Sequence, residues 1–214
     1  MDFVLTPVEI RIIGCLIEKE ITTHEYYPLT LNALTLACNQ KSNRNPMMEL
    51  NEETVFNSID DLRFKKFVVQ TFVSGARVPK FKHTIQSVYH FSAQQLSVLC
   101  ELFIRGPQTI GELRVHAARL YNFTSLEEVE NTLKNLMELQ GGPYVVKLPK
   151  IQGTKENRYA HLFCGEINLS EIQIKTIDSK TQANDDKLNN LEQEISILKS
   201  EIENIKQKLG DLLK

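Results

Sequence analysis

The chain has 214 residues, 42% hydrophobic and 24% charged, with a formal net charge of −2. That is enough for one large domain or two small ones with a tail, and it excludes a strongly basic nucleic-acid module. Residues 1–92 carry ten basic and ten acidic side chains, residues 93–165 eight and seven, and residues 166–214 seven and ten, so no segment is a polycation.

No apolar run is long enough to span a bilayer, and the start MDFVLTPVEI lacks the layout of a secretory leader. The expectation is a cytoplasmic protein without a membrane partner. Cys15, Cys38, Cys100 and Cys164 are scattered and form no Cys-x-x-Cys pair. They read as buried free thiols, and neither a metal site nor a cofactor is expected.

In chain order, Thr6-Pro7-Val8-Glu9 opens a first helix with a capping box and proline at the first helical position. Val8, Ile12, Cys15 and Leu16 supply its apolar stripe. Thr30 caps a second helix, Leu31 to Cys38. The amide-rich stretch Asn39 to Pro46 reads as a loop. Asn51 caps a third helix with Val55, Phe56, Ile59 and Leu62 inward. Val68 to Val73 and Ile85 to Phe91 read as two strands, joined by a long basic loop, Ser74 to His83.

The order then repeats. Ser92 with Gln95 caps a helix lined by Leu96, Leu99, Cys100, Phe103 and Ile104, which Arg105-Gly106-Pro107-Gln108 breaks. Thr109 with Glu112 caps the next helix, to about Leu120. Ser125 with Glu128 caps a third, with Val129, Leu133, Leu136 and Met137 inward. Tyr144 to Leu148 and Arg158 to Phe163 form a hairpin around a loop with Lys150 and Lys155. Three helices and a hairpin, twice, is the winged-helix order. The expected fold is mainly helical α+β: winged-helix domains at 1–91 and 92–165, a polar linker at 166–187 and a coiled coil at 188–214.

Several motifs resemble the YceH family of bacterial proteins: Ile13-Gly14-Cys15-Leu16-Ile17-Glu18-Lys19, Tyr27-Pro28-Leu29, Ala37 to Arg44, Arg105-Gly106-Pro107-Gln108-Thr109, Gly111-Glu112-Leu113-Arg114, and Arg158 to Phe163. The resemblance implies tandem winged-helix domains and a coiled-coil-like tail. It implies no activity, because that family is broadly uncharacterised.

The tail is the strongest periodic signal. Leu188, Leu191, Ile195, Leu198, Ile202, Ile205, Leu209 and Leu212 alternate three and four residues apart, the a/d seam of a coiled coil. A helix lying on its own body is the alternative, but that stripe is usually broader. Pairing g to e sets Lys187 against Glu192, Glu194 against Lys199 and Glu201 against Lys206, which favours a parallel homodimer. Ile205 at d leaves a trimer open.

Nucleic-acid contacts would come from Lys41, Asn43 and Arg44 in the first inter-helix loop, Arg77, Lys80, Lys82 and His83 in the first wing, and Lys150, Lys155 and Arg158 in the second. Against this, the first turns of both third helices carry acids, Glu52 and Glu53, then Glu127, Glu128 and Glu130. These repel phosphate, and they equally complement a helix N-terminus. Asn39 to Arg44 reads as a backbone-reaching loop or as one folded on its own side chains. His161, flanked by apolar residues, reads as structural. No phosphate-cradling glycine loop, Gly-x-Ser-x-Gly or His-Glu-x-x-His occurs, so no enzyme is expected. The sequence points to a dimeric binder of double-stranded DNA with the role of a transcriptional regulator, with a scaffold for a basic protein partner as the alternative.

Overall fold

The computed structural model describes residues 4–72, 78–150 and 156–165. The linker at 166–187, the heptad positions from Leu188 to Leu212, Arg77 and Lys155 lie outside the described residues.

The first helix, α1 (Pro7–Thr22), starts where expected. Thr6 accepts from the Glu9 amide and Glu9 accepts from the Thr6 amide. A 3-10 turn, His24–Tyr26, leads into β1 (Leu29–Thr30). Thr30 caps α2 (Leu31–Cys38), and Asn51 caps α3 (Glu52–Phe64) by accepting from the Thr54 amide. The hairpin β2 (Val68–Thr71) and β3 (Lys80–His83) pairs Val68 with His83 and Thr71 with Lys80, and β1 adds to the free edge of β3.

Two expectations are corrected here. Ile85–Tyr89 is a short helix, α4, rather than a strand. The ladder of β2 is used up by Lys80–His83, and Ile85 and Tyr89 then meet the core from one helical face. Lys80, Lys82 and His83 accordingly belong to a strand instead of a loop.

The second set comprises α5 (Ala93–Arg105), α6 (Ile110–Ala117), α7 (Leu126–Glu138), β4 (Val145–Lys147) and β5 (Tyr159–His161). Strands β4 and β5 are antiparallel. Gln108, just before the α6 cap, makes an isolated bridge to Tyr159. It stands where Leu29 stands in the first set, so both sets place an extended residue on the hairpin before their second helix. The structure is thus α+β and mainly helical, with two small antiparallel sheets.

The two sets share one hydrophobic core through α1 and α5. Gly14 sits where the helices meet. A Cβ there would stand 2.7 Å from Ile104 Cγ2 and 3.0 Å from Phe103 Cβ. Next to it, the Cys100 thiol donates to the Gly14 carbonyl at 3.3 Å. A second seam is aromatic: Tyr89, Phe91, Tyr144 and Phe163 meet with ring centroids 5.1–5.9 Å apart, and the Leu5 amide donates to the Phe163 carbonyl.

Gly14→Val should overpack this crossing and lower stability by about 1–3 kcal/mol. A urea-unfolding midpoint equal to that of the native chain would show that α1 and α5 can part without cost.

Candidate functional site

The loop after α2 is one of the expected phosphate contacts, and the structure places its arginine inside the protein. The Arg44 side chain is 0% exposed. Its Nη2 lies 2.5 Å from Glu18 Oε2 and its Nη1 3.2 Å from Glu18 Oε1. Its Nε donates to the Ala37 carbonyl and its Nη2 to Gln40 Oε1. A guanidinium so enclosed has no donor left for a phosphate, so Arg44 is a structural residue.

Asn43, also expected to read bases, adopts the left-handed conformation (φ 58°) and accepts from Arg105 through Oδ1. Asparagine tolerates that conformation better than most residues. The next amide, Asn45, donates to the Ile104 carbonyl at 2.9 Å. Asn39 clamps the far end of the loop, donating to the Leu50 carbonyl and accepting from the Leu50 amide. The loop is therefore folded on its own side chains and docked on the end of α5.

Glu18 and Glu101 are the buried acids of this region, at 1% and 0% exposure. Arg119, just past α6, bridges them: one nitrogen meets Glu18 Oε1 and Nη2 lies 2.8 Å from Glu101 Oε1. Arg105 adds a bond to Glu101 Oε2 at 3.0 Å. Burial works against the charge of Glu18, but the bidentate Arg44 and then Arg119 outweigh it and hold the carboxyl below its ordinary range. At Glu101 burial wins and the carboxyl is raised, although Arg119 and Arg105 oppose the rise. The same acids hold Arg44 and Arg119 above their ordinary values against burial. Arg11 completes the surroundings, donating to the Cys38 and Pro46 carbonyls, and burial lowers it.

Sequence reasoning missed this network. The available signal was a lone charge inside an apolar run: Glu18 after Leu16-Ile17, and Glu101 between Cys100 and Leu102-Phe103-Ile104. Its partners lie 26 and 101 residues from Glu18, so spacing could not name them.

The remaining candidates are dispersed. Lys80 and Lys82 alternate on β3 with inward Phe81 and His83. His83 is buried, its Nε2 2.7 Å from Glu20 Oε2, so it leaves the expected wing contacts. Lys41 and Lys150 are exposed. None of these four lysines takes part in an ion pair among the described residues. Arg158 is committed to the fold, donating to the Pro107 carbonyl at 2.6 Å and to Glu112 Oε1 at 2.9 Å. The His161 ring packs against Phe103, and burial lowers it to about 4.

The outward faces of the third helices are acidic. Glu52, Glu53, Asp60 and Asp61 on α3 are exposed, as are Glu127 and Glu130 on α7. Glu128 differs from these: it accepts from the Thr124 amide and hydroxyl and from Tyr121, closing the turn into α7.

These features define a mainly helical α+β protein with separated surface lysines and two acidic helices, held together by a buried Arg–Glu network. No helix among the described residues is long and apolar enough to cross a membrane. The chain belongs to the DUF480 family, proteins of unknown function, whose profile matches residues 5–154. Bacterial relatives called UPF0502 proteins extend the similarity along the chain. One from Aeromonas hydrophila is 45% identical over 99% of both chains, and one from Vibrio vulnificus strain YJ016 is 44% identical over 98% of both. One from Citrifermentans bemidjiense is 46% identical over 92% of this chain and 90% of its own.

Arg119→Ala should leave two buried carboxylates short of a cation. The loss should not exceed the roughly 3–5 kcal/mol of a broken buried pair, because the Arg119 side chain is itself 29% exposed. Glu101 is already raised and would rise further, so the folded variant gains by taking up a proton. The deficit should therefore shrink as pH falls from about 8 to about 5. Urea unfolding of both proteins at the two pH values measures it, and a deficit independent of pH would refute the assignment.

Proposed function

We propose that the chain is a non-enzymatic tandem winged-helix protein that binds protein partners, assembled as a homo-oligomer, in the simplest case a parallel dimer, through the heptads between Leu188 and Leu212. The winged-helix reading is supported by the repeated order of helix, extended residue, two helices and hairpin. The choice of protein over DNA rests on one observation. The first two turns of both candidate recognition helices expose acids and contain neither lysine nor arginine. A recognition helix meets base edges through those turns, beside phosphates that carboxylates repel. Joining two or more bodies through the tail would raise effective concentration and multiply weak contacts.

Lys80 and Lys82 favour a second reading. Both point outward from β3 without an ion pair among the described residues, and with Lys41 they could neutralise phosphates of duplex DNA.

A photo-crosslinking residue placed in turn at Glu130 and at Lys82, in cells, separates the two. Protein adducts from position 130 and no DNA adducts from position 82 are expected. DNA adducts from position 82, together with salt-dependent duplex binding that Lys80→Ala and Lys82→Ala weaken, would overturn the protein reading.

A further inference from the structure

The exposed face of the first helix–loop–helix combines apolar and acidic side chains. Phe64 is 83% exposed and Phe56 43%, both on α3. Leu36 on α2 is 63% exposed and Met47 in the following loop 67%. Phe56 and Phe64 are eight residues apart, which puts them on one outward face about 12 Å apart along the axis, while Val55, Ile59 and Leu62 face the core. The α2 and α3 surfaces are joined, because Asn32 Nδ2 donates to Glu52 Oε1 at 3.0 Å. Leu36 is one turn on from Asn32 and Phe56 one turn on from Glu52. Isolated exposed apolar residues need no explanation, but a group of large ones on joined surfaces marks an interaction site.

The surrounding charge indicates what covers it. Over residues 41–66 the exposed acids Glu49, Glu52, Glu53, Asp60 and Asp61 outnumber the exposed cations Lys41, Arg63 and Lys66. The one arginine on this face, Arg63, is paired to Asp60 at 2.7 Å. Nucleic acid and anionic lipid would be repelled. A second copy would set the same acids against themselves. The chain's own tail carries ten acids against seven lysines over residues 166–214, the wrong sign for this face.

We propose that the Phe56–Phe64 face of α3 docks an amphipathic helix of another protein, one whose apolar stripe is flanked by lysine or arginine. Anchors at i and i+7 or i+8 along such a helix match the two phenylalanines in spacing, and its cations meet the surrounding carboxylates. The assignment rests on the protein-binding reading above and gives it a location and a partner chemistry.

The full chain can be titrated, by fluorescence anisotropy, against a labelled amphipathic helix peptide built of leucine and lysine, and against its leucine and glutamate counterpart. The lysine peptide should bind and the glutamate peptide should not. Phe64→Ser, and the double variant with Phe56→Ser, should each weaken binding roughly tenfold or more. Circular dichroism should be unchanged, since the Phe64 ring faces solvent. Reversing Glu127 and Glu130 on α7 should leave peptide affinity as it was. Equal affinity of native and Phe64→Ser protein, equal binding of both peptides, or no binding of the lysine peptide would each overturn the proposal. So would a fall in the light-scattering mass of the full chain in the double variant, which would assign the face to a second copy. If the peptide test fails while crosslinks from position 130 still reach proteins, the α3 assignment falls and the broader reading stands.

Discussion

Arg119 touching both Glu18 and Glu101 is the interaction on which the arrangement of this body depends. Two carboxylates have been taken out of water on adjacent helices, α1 and α5. Each would carry a large desolvation penalty alone, and the pair would also repel. Arg44 takes one from the first set of elements, Arg105 takes the other from α5 itself, and Arg119 spans them. The cations can be in place only if the loop after α2, the end of α5 and the residues past α6 all sit where they do. Apolar contact between α1 and α5 supplies attraction, but apolar surfaces slide. The charge network and the close approach at Gly14 specify a single placement.

This has a consequence for binding. The segment between α2 and α3, where a helix-turn-helix meets a nucleic-acid backbone, is spent on intramolecular contacts through Asn43, Arg44 and Asn45. Arg158 is likewise spent on Glu112. What stays outward is a set of separated lysines and two acidic helices, one of them studded with aromatic side chains. Surface of that kind repels polyanions and attracts cationic amphipathic chains, which is the physical basis of the protein-binding proposal.

Much of the local structure was legible. The caps at Thr6, Thr30, Asn51, Ser92, Thr109 and Ser125 set the starts of six helices, because a side-chain oxygen must satisfy amides that have no partner within the helix. Their apolar stripes gave the inward faces, except at Phe56, expected inward but 43% exposed on α3. Ile85 to Tyr89 was misread because a five-residue segment has too few positions for alternation and helical period to differ. The same shift drew Lys80 and Lys82 into a loop when they belong to a strand. Candidate site residues were less legible. An arginine in a polar loop looks the same whether it faces phosphate or turns inward, and only Glu18, waiting in α1, decided the matter for Arg44.

The sequence by itself determined the six longer helices and their caps, the absence of a polycationic segment and the heptad pattern of the tail, since each depends on neighbours a few residues apart. Tertiary structure alone decided that the two sets of helices share a core, that Arg44 turns inward while Asn43 pairs with Arg105, and that α3 exposes phenylalanines as well as acids. Those outcomes turn on pairings such as Glu18 with Arg119, 101 residues apart. Over such separations the energy of burying a charge is set by which elements come to lie beside it.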